Sequence, residues 1–124
     1  MDSQKATVEI TIPREIKKLK GKKVLCVCAQ GVSRSGGLQW FLKNFYQIDA
    51  LPVGVQANSP ETIEMLFKWA DVIINTTHEI NTDQVPEEYK KKIILWDVGQ
   101  DRYFMGYHSD LIEQYAKYLE EYEK

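Results

Sequence analysis

Apolar and polar positions change period several times along this chain. In residues 7–12, Val8, Ile10 and Ile12 alternate with Thr7, Glu9 and Thr11, which predicts a half-buried strand closed by Pro13. Residues 14–20 predict a short helix stopped at Gly21, and residues 23–28, apolar nearly throughout, are expected to form a central strand covered on both faces. The period then becomes helical, with Leu38, Phe41, Leu42 and Phe45 predicting a helix over 33–46. Residues 51–57 read as a strand. Ser59 is a helix N-cap followed by Pro60 and Glu61, and Ile63, Leu66, Phe67 and Ala70 form the buried stripe of a helix ending near Ala70. Residues 71–77 predict another strand, 78–92 a polar stretch with a turn or short helix, and 93–98 a further apolar strand. After a loop over 99–109, residues 110–122 predict a final helix carrying Leu111, Ile112, Tyr115, Tyr118, Leu119 and Tyr122.

From Lys23 onward the order is strand, helix, strand, helix, strand, strand, helix. That alternation predicts an α/β fold, a three-layer doubly wound sheet that is mostly parallel, with four core strands plus an extra N-terminal strand. Residues 1–124 make one domain, of which 1–22 form an N-terminal extension. Ligands of such sheets collect at the carboxyl ends of the strands, and Cys28 occupies one of those ends.

Charge and composition narrow the function classes. With 27% charged residues and a net charge of −2, the chain lacks the basic excess of a nucleic-acid-binding domain. No apolar run approaches the roughly 20 residues of a membrane span, and the N-terminus lacks the apolar segment of a signal peptide, so a cytoplasmic protein is expected. Cys26 and Cys28 are expected to point to opposite faces of their strand and to form no disulfide. The set Lys17, Lys18, Lys20, Lys22 and Lys23 reads as a solvated face, or else as a steering field for anionic substrates.

The candidate chemistry sits where the central strand turns into the helix. Cys28 is followed by Ala29, Gln30, Gly31, Val32 and Ser33, then by Arg34 and Ser35. Gly31 lets the backbone curl so that the N–H groups of residues 29–34 point inward, and the helix adds its positive end, making a cradle for a phosphate. The same field favours an anionic thiolate at Cys28. Arg34 can grip two phosphate oxygens in a fork, and Ser35 can donate a hydrogen bond to the sulfur. Thiolate attack on phosphorus followed by hydrolysis of the phosphocysteine is the reaction these groups suit, given a general acid for the leaving oxygen. Cys26 reads as a small buried hydrophobe.

Val24-Leu25-Cys26-Val27-Cys28, the five residues to Arg34, and Ser35 resemble the start of the low-molecular-weight protein tyrosine phosphatases. The resemblance implies core strands in the order 2-1-3-4, Cys28 as nucleophile, Arg34 as phosphate clamp and Ser35 as thiolate partner. Asp101-Arg102-Tyr103 looks like that family's Asp-Pro-Tyr and makes Asp101 the expected general acid, with Asp97 in reserve. Three features depart from the pattern. Gln30-Gly31 stands where the family has Gly-Asn, so the loop must be braced differently. Ser33 replaces the family's second loop cysteine, and the chain is shorter than typical members while carrying an N-terminal strand of its own. The loop sequence itself looks closer to the dual-specificity phosphatases, but only Asp2, Glu9 and Glu15 precede Cys28 as acid candidates.

Rival readings are a phosphocarrier of the sugar phosphotransferase IIB type, which lacks the arginine, an arsenate reductase, which needs further cysteines, and a non-catalytic phosphate-binding module. The expected substrate is a phosphorylated protein, phosphotyrosine first, or a small aryl phosphate. Tyr103 and Phe104 are substrate-binding candidates, and Tyr107 could join them in walling a slot for the ring. Trp40, Trp69 and Trp96 read as core. His78 and His108 are isolated, so neither a metal nor a cofactor is implied.

Overall fold

The computed structural model describes residues 12–30, 32–78, 80, 85–100 and 109–124. Among the described residues four strands, β1 (Lys23–Cys28), β2 (Asp49–Gly54), β3 (Val72–Asn75) and β4 (Ile93–Leu95), alternate with four helices. The helices are α1 (Ser33–Tyr46), α2 (Pro60–Trp69), α3 (Glu87–Lys90) and α4 (Ser109–Glu123). The sheet runs in the order β2-β1-β3-β4, with every neighbouring pair parallel. The expected core order therefore holds. The extra N-terminal strand at 7–12 lies almost wholly outside the described residues.

β1 is central because both of its faces are apolar. Val24 and Cys26 pack with Leu38, Phe41, Tyr115 and Leu119 beneath α1 and α4. Leu25 and Val27 pack with Val53, Phe67, Ile73 and Tyr89 beneath α2 and α3. Burying a Leu, Val or Phe side chain contributes about 1.5–3 kcal/mol, so this double-sided strand is the fold's main anchor. Pro52, opposite Cys26, is tolerated because β2 lies at the sheet edge.

Local signals hold for α2. Ser59 Oγ accepts the Thr62 N–H at 3.2 Å, and Pro60 opens the helix. Its end is closed from elsewhere, by Lys92 Nζ donating to the carbonyls of Phe67 and Ala70 at 3.0 and 2.8 Å. α1 ends on Gln47, whose φ of 53° is left-handed, a C-cap that usually falls to glycine.

Several expectations are corrected. Residues 14–20 form bends and a turn, not a helix. The Glu123 carboxylate of α4 takes the N–H groups of Lys17, Lys18 and Leu19 at 2.6, 2.8 and 3.0 Å, which replaces helical pairing there. The regular ladders of β3 and β4 stop at Asn75 and Leu95, short of the expected Thr77 and Val98, and β2 begins at Asp49 and ends at Gly54. Phe45 and Trp40, expected in the core, are 42% and 38% exposed and touch edge to face.

The two thiols do not face apart. Residues two apart on a strand share a side, and Cys28 raises the pKa of Cys26. Burial, the larger cause, and the neighbouring sulfur together push the Cys26 thiol far above the range in which it ionises. Both cysteines are buried and neither is in a disulfide. The lysines at 17, 18, 20, 22 and 23 are exposed at the opposite end of β1 from Cys28, about 17 Å of strand away, which favours the solvated-face reading.

Candidate active site

Cys28 ends β1 and is 2% exposed, so its thiol lies at the bottom of the β1–α1 loop. Ser35, fully buried one turn into α1, brings Oγ to 3.1 Å from Cys28 Sγ. In the thiol form the sulfur donates to that oxygen, and in the thiolate form the hydroxyl donates to the sulfur. Arg34 is 3% exposed, with its main-chain carbonyl accepting the buried Tyr115 hydroxyl of α4 at 2.5 Å.

α1 begins without a side-chain cap. Its N-cap position is held by Val32, 68% exposed, whose apolar side chain accepts no hydrogen bond from the first turn. An uncapped N-terminus leaves partial positive charge facing the loop, as an anion cradle requires. Ala29 and Ser33 are half-buried, Gln30 is exposed, and Gly31 lies outside the described residues.

The loop is braced from β2's far end. Val55 and Gln56 donate their N–H groups to the carbonyls of Cys28 and Ala29 at 3.0 and 2.8 Å. Gln30 Nε2 then donates to Gln56 Oε1 at 2.8 Å. Gln56 was not singled out by the sequence pattern. Its role depends on β1 and β2 being neighbours, and that adjacency also supplies the alternative bracing that Gln30-Gly31 demands.

Arg34 Nη1 donates to the Gly99 carbonyl at 2.9 Å, across the sheet ends. Gly99 has φ +82°, a conformation that would strain any residue with a Cβ. Its own N–H donates to Asp97 Oδ1 at 2.8 Å, and Asp97 Oδ2 lies 2.5 Å from His78 Nδ1. Partial burial raises the Asp97 pKa, but the N–H of Gly99 and the His78 ring outweigh it and hold the carboxyl below its ordinary value. Tyr118 Oη donates to the Asp97 carbonyl at 2.7 Å. His78, read from sequence as an isolated residue, is thus part of a chain of contacts that reaches Arg34. No local pattern announces it, because 19 residues separate the paired side chains.

The structure therefore sets Ser35 beside Cys28 and turns the Arg34 guanidinium to Gly99, with Ala29, Gln30 and Val32 on the loop and Ser33 opening α1. Asp101, Tyr103, Phe104, Tyr107 and His108 lie outside the described residues. On the α2 side of the sheet an apolar cavity of about 470 Å³ adjoins the loop, lined by Val27, Ala29, Val55, Gln56, Ile63 and Phe67 among others. Cys28, on the alternate side of β1, does not line it. Among the described residues no three His, Cys, Asp or Glu side chains cluster as a metal ion would need, and no helix is long and apolar enough to cross a membrane.

The four-stranded order 2-1-3-4, with a cysteine loop between the first strand and first helix, is the α/β fold of the low-molecular-weight protein tyrosine phosphatases. The chain is similar to the crystal structure of a YwlE mutant from Bacillus subtilis, with a TM-score of 0.56 and 19% sequence identity. That match covers 79% of this chain and 98% of the other. No protein-family model and no curated protein matches the chain by sequence.

Proposed function

We propose that this protein is a cysteine-dependent phosphatase that hydrolyses phosphate monoesters, protein phosphotyrosine foremost, through a phosphocysteine. The observation that carries the reading is the placement of Cys28 Sγ 3.1 Å from Ser35 Oγ at the start of α1, a helix whose N-cap residue supplies no side-chain cap and whose first turn carries Arg34. The fold supports it, because that loop stands at the carboxyl end of the central strand, where sheets of this kind bind ligands.

In the first step Cys28 Sγ forms a bond to phosphorus as the bond to the leaving oxygen breaks, and that oxygen takes a proton. Asp101 is the proposed donor. Asp97, the reserve candidate, has both carboxylate oxygens engaged and is held in its ionised form, which suits a proton donor poorly. In the second step water attacks phosphorus, its proton returns to Asp101, and the thiolate departs with the Ser35 hydroxyl donating to it. Arg34 and the N–H groups of residues 29–34 hold the equatorial oxygens through both steps. No metal or cofactor enters.

The test is hydrolysis of p-nitrophenyl phosphate and of a phosphotyrosine peptide without added metal. Wild-type turnover inhibited by vanadate, and abolished in Cys28→Ser, is the expected result. Turnover that survives Cys28→Ser overturns the phosphocysteine mechanism. A stable phosphorylated Cys28 that passes its phosphate to a sugar would instead favour the phosphocarrier reading.

A further inference from the structure

Taking the phosphatase reading as its premise, the geometry points to His78 and Asp97 as a positioning pair for the phosphate clamp. The His78 ring fixes the Asp97 carboxylate, the carboxylate shapes the 97–99 turn, and the turn presents the Gly99 carbonyl that orients the Arg34 guanidinium.

Each link is short and directional. His78 Nδ1 meets Asp97 Oδ2 at 2.5 Å, Gly99 N–H meets Asp97 Oδ1 at 2.8 Å, and Arg34 Nη1 meets Gly99 O at 2.9 Å. The carboxylate bridges two elements. His78 follows β3, whereas Asp97 and Gly99 follow β4, and only the β3–β4 pairing brings them together. Backbone bonds pin the same region, with Trp96 N–H on the Asn75 carbonyl at 2.8 Å and Val98 N–H on the Thr76 carbonyl at 3.0 Å. Tyr118 holds the Asp97 carbonyl from α4. The Asp97 side chain therefore has little rotational freedom while His78 is in place. Without the His78 ring the carboxylate keeps, among the described residues, its backbone bonds to the N–H groups of Gly99 and His78, and the oxygen that met the ring is held less firmly.

Arg34 is the residue most sensitive to such positioning. A guanidinium binds a phosphate in a fork only when its plane is aligned, and one Nη fixed on a carbonyl sets that plane before the anion arrives. The left-handed Gly99 is what aims the carbonyl at Nη1, since the peptide that follows Gly99 rotates with its ψ. The His78 side chain is 65% exposed, so its removal alters the pair without opening the core.

The test combines vanadate affinity with the NMR signals of the Arg34 guanidinium protons in the full-length chain. His78→Ala and Asp97→Asn are each expected to weaken vanadate binding about tenfold, the effect of losing one well-placed charged hydrogen bond. Both should also broaden the guanidinium signals, and the double variant should be no weaker than either single one. His78→Asn keeps an amide donor where Nδ1 stood and should recover most of the affinity, which a merely structural role for the imidazole would not require. Vanadate affinity and guanidinium signals that stay unchanged in both single variants overturn the pair. So does a loss of turnover with vanadate affinity intact, which would make one of them a proton donor. If the wild-type protein binds no vanadate, the phosphatase reading fails instead, and the guanidinium signals alone decide whether the pair orients Arg34.

Discussion

Replacing Ser35 with Ala should separate the two chemical steps. The Ser35 hydroxyl is fully buried and lies 3.1 Å from Cys28 Sγ, with no water shell to take its place. In the first step the thiolate loses charge as the S–P bond forms, so the hydrogen bond weakens toward the transition state. In the second step charge grows on the departing sulfur, and the bond strengthens. A hydrogen bond to a charged group contributes about 1.5–3 kcal/mol, so its loss should slow phosphocysteine hydrolysis by roughly 10- to 100-fold. Formation of the intermediate changes far less, because its transition state already weakens the bond that the substitution removes. Rapid mixing of Ser35→Ala with p-nitrophenyl phosphate should therefore give a burst of nitrophenol close to one equivalent, followed by a slow steady state. kcat should drop by the full factor, with kcat/KM within about threefold of wild type. Parallel losses in kcat and kcat/KM without a burst would refute this reasoning and leave Ser35 as a packing residue of the loop.

Other perturbations test the supports. Glu123→Gln should lower stability by about 2 kcal/mol, three N–H bonds to a partly exposed carboxylate being weakened rather than abolished. For 124 residues that is about 8 °C in Tm. The folded-state pKa of Glu123 is lowered, because the N–H groups of Lys17, Lys18 and Leu19 and the Lys18 charge outweigh the rise from burial. Its contribution is thus fully present above the unfolded value of about 4.5 and fades as pH falls through the lower folded value, so the Tm gap to Glu123→Gln should close in acid. A gap that is the same at pH 7 and pH 3 would contradict this. Tyr115→Phe removes the donor to the Arg34 carbonyl and should cost about 1 kcal/mol in a denaturant melt. Gln56→Ala frees Gln30 and should raise KM for aryl phosphates a few-fold while leaving Tm within about 2 °C, as expected for an exposed bond.

Elements whose partners lie within a few residues were legible in the sequence. Ser59 and Pro60 marked the start of α2 because an N-cap acts on its own first turn. The two-sided apolar run of residues 24–28 marked the central strand, since a strand covered on both faces needs apolar side chains at successive positions. Residues 14–20 misled for the opposite reason. Their helical pattern was genuine, but the Glu123 carboxylate, more than 100 positions away, captured their N–H groups. The exposed pair Trp40 and Phe45 shows that hydrophobic type does not by itself say which helix face is covered.

The site divides along the same line. Cys28, Arg34 and Ser35 belong to one strand–loop–helix turn, and the Sγ–Oγ contact of Cys28 with Ser35 follows from that turn alone. The tertiary structure decided what surrounds them. Gln56 reaches the loop only because β2 pairs with β1, and His78 reaches Asp97 only because β3 pairs with β4. Parallel neighbours are joined by long crossovers, so residues that meet at the sheet's carboxyl edge are far apart in the chain. Strand order, which local periodicity does not encode, selects them.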